Sequence, residues 1–161
     1  MNKDLSRSLH ALTARADRAA DRILRAECGI SYSRFLTLYA VSELGVTTQR
    51  ALAEWLGVAE RSVSRMVRVL ADEGLLAAPA DPSGGSRRRL TLTPAGRRLV
   101  AGCGQLLEDK FAAVVDAAGV SYDAYRDSTL RLLAALGGTA QAAANAKRES
   151  AKREPAKVRA S

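Results

Sequence analysis

The chain has 161 residues, of which 47% are hydrophobic and 26% charged, and its formal net charge is +8. This length and composition are typical of one folded domain with helical extensions, and they exclude a largely disordered chain. Aromatic residues make up only 4%, while Ala, Leu and Arg are abundant, and that balance favours helices over a β-sandwich. A basic chain attracts polyanions, so nucleic acid is the first partner class to consider.

The beginning of the chain, MNKDLSRSLHALTARAD, contains acidic residues and lacks the apolar segment of a signal peptide. No later run of apolar residues is long enough to span a bilayer. We therefore expect a cytoplasmic protein with no membrane partner.

Two helices are predicted in the first third of the chain. Apolar residues at helical spacing run from Leu5 to Leu24, which indicates a long amphipathic helix that ends at Gly29. The next segment, SYSRFLTLYAVSELG, is richer in apolar residues and predicts a buried helix. We expect a serine cap at Ser31 or Ser33 and an end at Gly45.

A pair of short helices is predicted in VTTQRALAEWLGVAERSVSRMVRVLADEGLL. Thr47 is expected to cap the first helix, which ends at Gly57, and the second runs to Gly74. The first helix is expected to bury Leu52, Trp55 and Leu56. Two short helices with a tight glycine-containing turn between them are the sequence form of a helix-turn-helix.

A β-hairpin is predicted after this pair. Turn residues in DPSGGS separate a weak strand, AAPA, from the alternating strand RRLTLT. A hairpin directly after a helix-turn-helix is a wing. Arg87, Arg88 and Arg89 follow its flexible tip, where arginines can enter a minor groove or contact phosphates.

Two further helices complete the predicted fold. Thr93 followed by Pro94 is a strong helix start, and this helix is expected to stop near Gly119. A last helix begins at Ser121. From residue 138 to 161 we expect frayed helix or disorder, and the segment AKRESAKREPAKVRAS contributes +4 of the net charge.

The second helix of the pair has two contrasting faces. At 3.6 residues per turn, Arg61, Arg65 and Arg68 lie opposite an apolar stripe. That stripe consists of Val63, Met66, Val67 and Leu70. A helix that reads the DNA major groove needs arginines and serines in its first turns. Taken alone, the helix is better explained as a solvated surface helix, but the turn before it and the hairpin after it together favour nucleic-acid binding.

The assembled pattern closely resembles the MarR family of bacterial transcriptional regulators over approximately residues 5–137. The resemblance depends on L-A-x-x-L-G at Leu52–Gly57, S-V-S-R at Ser62–Arg65, L-x-x-x-G-L at Leu70–Leu75 and L-T-P-x-G at Leu92–Gly96. It implies a mainly α fold with a small β-hairpin wing. Residues 30–93 would form the winged helix-turn-helix, and residues 1–29 and 94–137 the long dimerisation helices.

The same resemblance implies a homodimer that represses transcription from a pseudo-palindromic DNA operator. It would place Ser62, Ser64 and Arg65 on DNA, with Thr48 and Gln49 near the phosphates. Two departures concern the wing, where the family usually has Asp-x-Arg but this chain has Gly84 and Ser86, and where Ala78 replaces an arginine. Either Arg87 or Arg88 substitutes, or the wing binds with less specificity.

Many members of the family release DNA when a small aromatic acid or phenol enters the cleft between the dimerisation and DNA-binding parts. The residues that would line such a cleft here are Arg15, Arg18, Tyr32, Phe35, Tyr39 and Phe111. The alternative for each is a packing or solvent-facing role.

The sequence does not indicate an enzyme, a cofactor or a metal site. It has one histidine, His10, and two cysteines outside any CxxC pattern, which cannot build a His-rich zinc site. Cys103 falls on an apolar stripe and is expected to be buried. Cys28 lacks an evident activating partner, which argues against redox sensing.

Two other functions remain open. The chain is either a sequence-specific regulator, a nucleoid-type protein that binds DNA without sequence preference, or a winged-helix module that binds protein partners. The basic tail favours the nucleoid-type alternative, since charge alone attracts any DNA.

Overall fold

The computed structural model describes residues 4–79 and 89–152, with side chains described through residue 137. The helices of this part are α1 (Leu5–Cys28), α2 (Tyr32–Leu44), α3 (Gln49–Leu56), α4 (Glu60–Asp72), α5 (Pro94–Ala117) and α6 (Tyr122–Lys152). The strands β1 (Leu76–Ala77) and β2 (Thr91–Leu92) form a two-stranded antiparallel sheet. The predicted fold class, mainly α with a small β-hairpin, is confirmed.

Helix boundaries follow local capping chemistry. Ser31 caps α2 by accepting a hydrogen bond from the amide of Arg34 at 3.4 Å, and Gly29 ends α1 with a left-handed φ of 67°. Thr93 caps α5 through the amide of Gly96 at 3.1 Å. The prediction that Thr47 caps α3 was wrong by one residue, because the Thr48 hydroxyl accepts from the amide of Ala51 at 3.2 Å.

Thr47 instead joins the wing to the helices. Its amide donates to the carbonyl of Leu90 at 3.2 Å, and the amide of Leu90 donates back to Thr47 at 2.7 Å. The β1–β2 register pairs Leu76 with Leu92. The first strand therefore begins one residue before the predicted AAPA segment, since Leu76 is the residue whose side chain reaches the core.

The core is built from side chains of several neighbouring elements. Four helices and the residue before β2 each contribute a fully buried leucine. In chain order these are Leu24, Leu38, Leu52, Leu70 and Leu90. Trp55 was expected among them but is 45% exposed. Ala53 is buried instead. A helix of eight residues presents only a narrow stripe of side chains to the core.

Contacts along the backbone divide the chain into two compact units, one ending at Lys110 and one beginning at Phe111. In the second unit the ring of Phe111 lies 6.4 Å from that of Tyr125. Ser121, where the last helix was predicted to begin, precedes α6 and accepts a hydrogen bond from the amide of Ala124. The helix continues to Lys152, past the Gly137 boundary that the sequence suggested for the folded region. The domain assignment and the role of the tail remain predictions.

No helix in residues 4–79 or 89–152 combines the length and the apolar character that a bilayer crossing requires.

Candidate nucleic-acid interface

Helices α3 and α4 form a helix-turn-helix. Gly57 ends α3 in the left-handed conformation with φ 66°, and the chain enters α4 only three residues later. Ala59 occupies the cap position of α4 and provides no side-chain hydrogen bond. The tight turn therefore depends on Gly57, since other residues rarely adopt positive φ.

The two faces of α4 are separated as the sequence predicted. Val63, Val67 and Leu70 are buried, each no more than 3% exposed. On the opposite side Arg61, Arg65 and Arg68 are exposed, Ser62 is exposed and Ser64 is half-buried. The burial of one stripe fixes the rotation of α4, and that rotation turns the basic residues outward.

The outward face forms an open groove of about 620 Å³ that we call the basic groove. Its lining consists of Gln49 from α3 and, from α4, Glu60, Arg61, Ser64, Arg65 and Arg68. In the part of the chain that the structure describes, none of these three arginines forms an ion pair with a carboxylate. Three unpaired guanidinium groups in one groove present donors that suit phosphate and guanine acceptors.

The remaining predicted DNA contacts are distributed around this groove. Gln49 lines it, whereas Thr48, at the start of α3, uses its hydroxyl oxygen as a helix cap. Ser62 is exposed on α4 but does not line the groove. Arg89 is exposed next to the Thr47–Leu90 pairing. Arg87 and Arg88, together with the departures at Gly84 and Ser86, lie outside the described residues.

The aromatic candidates for ligand binding form a row on α2. The ring of Phe35 lies 6.4 Å from that of Tyr32 and 6.1 Å from that of Tyr39. Phe35 is a core side chain at 5% exposure, while Tyr39 is 37% exposed. Burial and the carboxylate of Asp17 raise the pKa of Tyr32, and burial and Glu43 raise that of Tyr39. Both phenols are therefore neutral hydrogen-bond donors at neutral pH.

Trp55, which was predicted to be buried in the core, extends this aromatic row. Trp55 on α3 contacts Tyr39 with ring centroids 6.3 Å apart. Arg15 and Arg18 are exposed on α1, and Phe111 belongs to the second unit. The structure thus brings together Tyr32, Phe35 and Tyr39 on α2. No sequence signal separated Trp55 from the core residues of α3, because its spacing fits the apolar stripe.

The two cysteines, 75 positions apart in the chain, meet in the first unit. Cys103 is 4% exposed, as predicted, and Cys28 packs against the core beside it. Burial, with a hydrogen bond between the two thiols, raises the pKa of Cys103 to about 12. Cys103 is accordingly a protonated thiol at neutral pH, which is the unreactive form.

Comparison with known proteins identifies the fold. No family model and no curated protein matches the sequence. Apo wild-type MarR from E. coli superposes with a TM-score of 0.72 at 20% identity, covering 83% of this chain and 98% of that one. A cysteine-to-serine mutant of E. coli MarR bound to operator DNA gives 0.65 at 21% identity, covering 81% and 94%.

A second DNA complex agrees with these. The S. aureus MepR–DNA complex superposes with a TM-score of 0.66 at 18% identity, covering 86% of this chain and 99% of MepR. The chain therefore has the fold of MarR-type winged-helix regulators, and the fold that the sequence resemblance implied is confirmed.

Proposed function

We propose that this chain is a sequence-specific, DNA-binding transcriptional regulator of the MarR type, which acts as a repressor. The observation that carries the proposal is the basic groove on α4. It lies on the second helix of a helix-turn-helix, opposite the buried stripe, and its three arginines have no acidic partner among the described residues. Solved structures with the same fold include complexes with DNA.

The electrostatics of the groove suit DNA better than a protein partner. Arg61, Arg65 and Arg68 outnumber the single carboxylate of Glu60. The described residues that line the groove include no aromatic or aliphatic side chain and so lack the tryptophan and tyrosine anchors common at protein interfaces. Guanidinium groups that are free to form two parallel hydrogen bonds recognise guanine and phosphate directly.

The proposal includes a homodimer. Leu5, Leu9 and Leu12 of α1 are between 42% and 69% exposed and share one helix face. In α6, Leu130, Leu132 and Leu133 are between 53% and 59% exposed. Leucines exposed at helical spacing are typical of helices that pack against another subunit. A dimer would present two copies of α4 to two half-sites about one helical turn apart.

The dimer is tested by light scattering on the whole chain. The double substitution Leu9→Glu and Leu12→Glu should halve the mass, since it places two charges in the proposed interface. Ala11→Glu, on the opposite face of the same helix, is the matched control and should stay dimeric. A dimeric double variant would contradict this part of the proposal.

A small-molecule effector is proposed at the aromatic row of α2. Tyr39 and Trp55 are partly exposed and their ring centroids lie 6.3 Å apart, so they offer aromatic surface to a planar aromatic ligand. A ligand of this class should quench the fluorescence of Trp55, which is the only tryptophan in the chain. Tyr39→Ala should weaken that quenching, whereas an unchanged response would place the ligand elsewhere.

The decisive experiment is selection of binding sites from a randomised DNA library, followed by competition at rising salt. A sequence-specific regulator enriches a palindromic motif and prefers it to random DNA at every salt concentration. Enrichment of no motif, with affinity that falls steeply with salt, would instead support the nucleoid-type alternative. No binding to either DNA would support the protein-binding alternative.

A further inference from the structure

Glu60 is the one acidic residue among the six that line the basic groove. It is the first residue of α4 and is exposed. Within the described part of the chain its carboxylate forms no ion pair, although Arg61, Ser64 and Arg65 line the same groove. A free carboxylate at the leading end of a DNA-facing helix requires an explanation, because DNA phosphates repel it.

One explanation involves only the helix. A negative charge in the first turn interacts favourably with the helix dipole, and α4 has no side-chain cap to satisfy its first amides. That role needs no contact with DNA. It predicts that the residue matters for folding stability and has no effect on which sequence is bound.

The position of Glu60 supports a second role. The N-terminal residues of a recognition helix are the ones that reach base edges in the major groove. There a carboxylate is tolerated only opposite a hydrogen-bond donor. Cytosine presents its N4 amino group beside a C–H edge, whereas adenine presents its N6 amino group next to the N7 acceptor, which repels a carboxylate. Cytosine is therefore the base that fits.

We propose that Glu60 is a specificity-determining residue that accepts a hydrogen bond from the N4 amino group of one cytosine in each operator half-site. This inference rests on the proposed DNA-binding function. The groove would then select bases in two ways. The arginines favour guanine, whose edge carries two acceptors, and Glu60 disfavours guanine at the position that it contacts. A wrong base opposite Glu60 leaves the carboxylate facing an acceptor.

The arrangement on α4 also limits where the cytosine lies. Glu60 and Ser64 are one turn apart, as are Arg61 and Arg65, and one helical turn advances about 5.4 Å. Base pairs are spaced by about 3.4 Å. The cytosine read by Glu60 should therefore lie within about two base pairs of the guanine read by Arg61 or Arg65.

The test is library selection with the whole chain as wild type, Glu60→Gln and Glu60→Ala. The wild type should require C at one position per half-site, with a preference of roughly 5- to 150-fold over the other bases. Glu60→Ala should lose the preference at that position and retain the rest of the motif. Glu60→Gln should change the preferred base from C to A, because a carboxamide both donates to N7 and accepts from N6 of adenine.

Three outcomes would overturn the inference. If all three proteins select the same motif, Glu60 does not read a base. If Glu60→Ala binds every sequence more tightly with the motif unchanged, the carboxylate only repels phosphate. If the variants differ from wild type only in unfolding temperature, the helix dipole is its role. A wild type that selects no motif would refute the proposed function itself, so the two failures are distinguishable.

Should Glu60→Ala fail to fold, Glu60→Gln still decides the question. This substitution preserves the shape of the side chain and removes only its charge. A change of the preferred base from C to A would require that the side chain contacts the base. Glu27→Gln, which neutralises an exposed carboxylate on α1, is the matched control and should leave the preference for C intact.

Discussion

The guanidinium of Arg34 on α2 is paired with the carboxylate of Glu73, the residue at the C-terminal end of α4. Arg34 is the more buried of the two, with 24% of its side chain exposed against 43% for Glu73. The pair joins the proposed recognition helix to the helix that carries Tyr32, Phe35 and Tyr39. The pair therefore links the C-terminal end of α4 to α2.

The Arg34–Glu73 pair should contribute measurably to stability. In a double-mutant cycle with Arg34→Met and Glu73→Gln, we expect a coupling energy of about 0.5–1 kcal/mol, because both groups remain partly in water. Urea denaturation of the wild type, both single variants and the double variant measures it. Additive single effects would show that the pair is geometrically present but energetically neutral.

Arg65→Ala should weaken binding to the selected operator by about 1–3 kcal/mol and affect random DNA much less, since a base contact is lost along with one charge. Arg22→Ala removes the same charge from an exposed position on α1 and is the matched control. Fluorescence anisotropy with both DNAs measures the difference. An equal loss on the two DNAs would make Arg65 a phosphate contact.

Gly96→Ala should destabilise the fold by about 1–3 kcal/mol. A Cβ at this position would collide with the backbone carbonyl of Leu75, where the start of α5 packs against the end of the helix-turn-helix. The hydroxyl of Thr93 donates to the carbonyl of Gly74 at 2.7 Å in the same place and holds the two segments together.

Gly102→Ala provides the control for Gly96. Both glycines lie on α5, but among the described residues no heavy atom beyond its chain neighbours and its own helix backbone lies within 4 Å of a Cβ built at Gly102. This change should stabilise the chain by about 0.5–1 kcal/mol, because alanine favours a helix interior. Thermal unfolding should therefore move in opposite directions for the two variants, and a shift of the same sign would contradict the close-packing explanation.

Cys103 should resist alkylation in the folded protein. With its pKa raised to about 12, almost none of this thiol is ionised at pH 8. Mass spectrometry after brief treatment with iodoacetamide should find Cys103 unmodified until the chain is unfolded in urea. Rapid modification of Cys103 in the native protein would contradict its burial.

The same shift has a consequence for stability at high pH. An unfolded Cys103 ionises near its ordinary pKa of 9.0, whereas the folded thiol keeps its proton up to about 12. Between these values the unfolded state binds fewer protons, so the free energy of unfolding falls as pH rises. Denaturation at several pH values gives the free energy of unfolding of wild type and of Cys103→Ala. The difference between the two should shrink over this pH window if the thiol is responsible, and stay constant if it is not.

The periodic features of the sequence were sufficient to predict most of the fold. The stripe of Val63, Val67 and Leu70 predicted which face of α4 is buried, because a helix has a fixed 3.6-residue repeat and one apolar face must leave water. Thr93 before Pro94 predicted the start of α5 for an equally local reason. These properties depend on residues within one or two turns of each other.

Other features depended on contacts between distant segments. Trp55 has the right spacing for a core residue, but the packing of α3 turns Leu52 and Ala53 into the core and leaves Trp55 45% exposed. The meeting of Cys28 with Cys103, and of Arg34 with Glu73, has no signal in local pattern. Neither does the backbone contact that requires glycine at residue 96.

By itself, then, the sequence determined the order of the helices and which face of each is apolar. Both depend on local hydrogen bonding and on the hydrophobic repeat, which involve only residues close together in the chain. Only the tertiary structure decided that Gln49 and Glu60 share a groove with Arg61, Ser64, Arg65 and Arg68. That arrangement depends on how α3 packs against α4 across the Gly57 turn. Packing is set by the combined shape of side chains far apart in the chain, which no single stretch of sequence specifies.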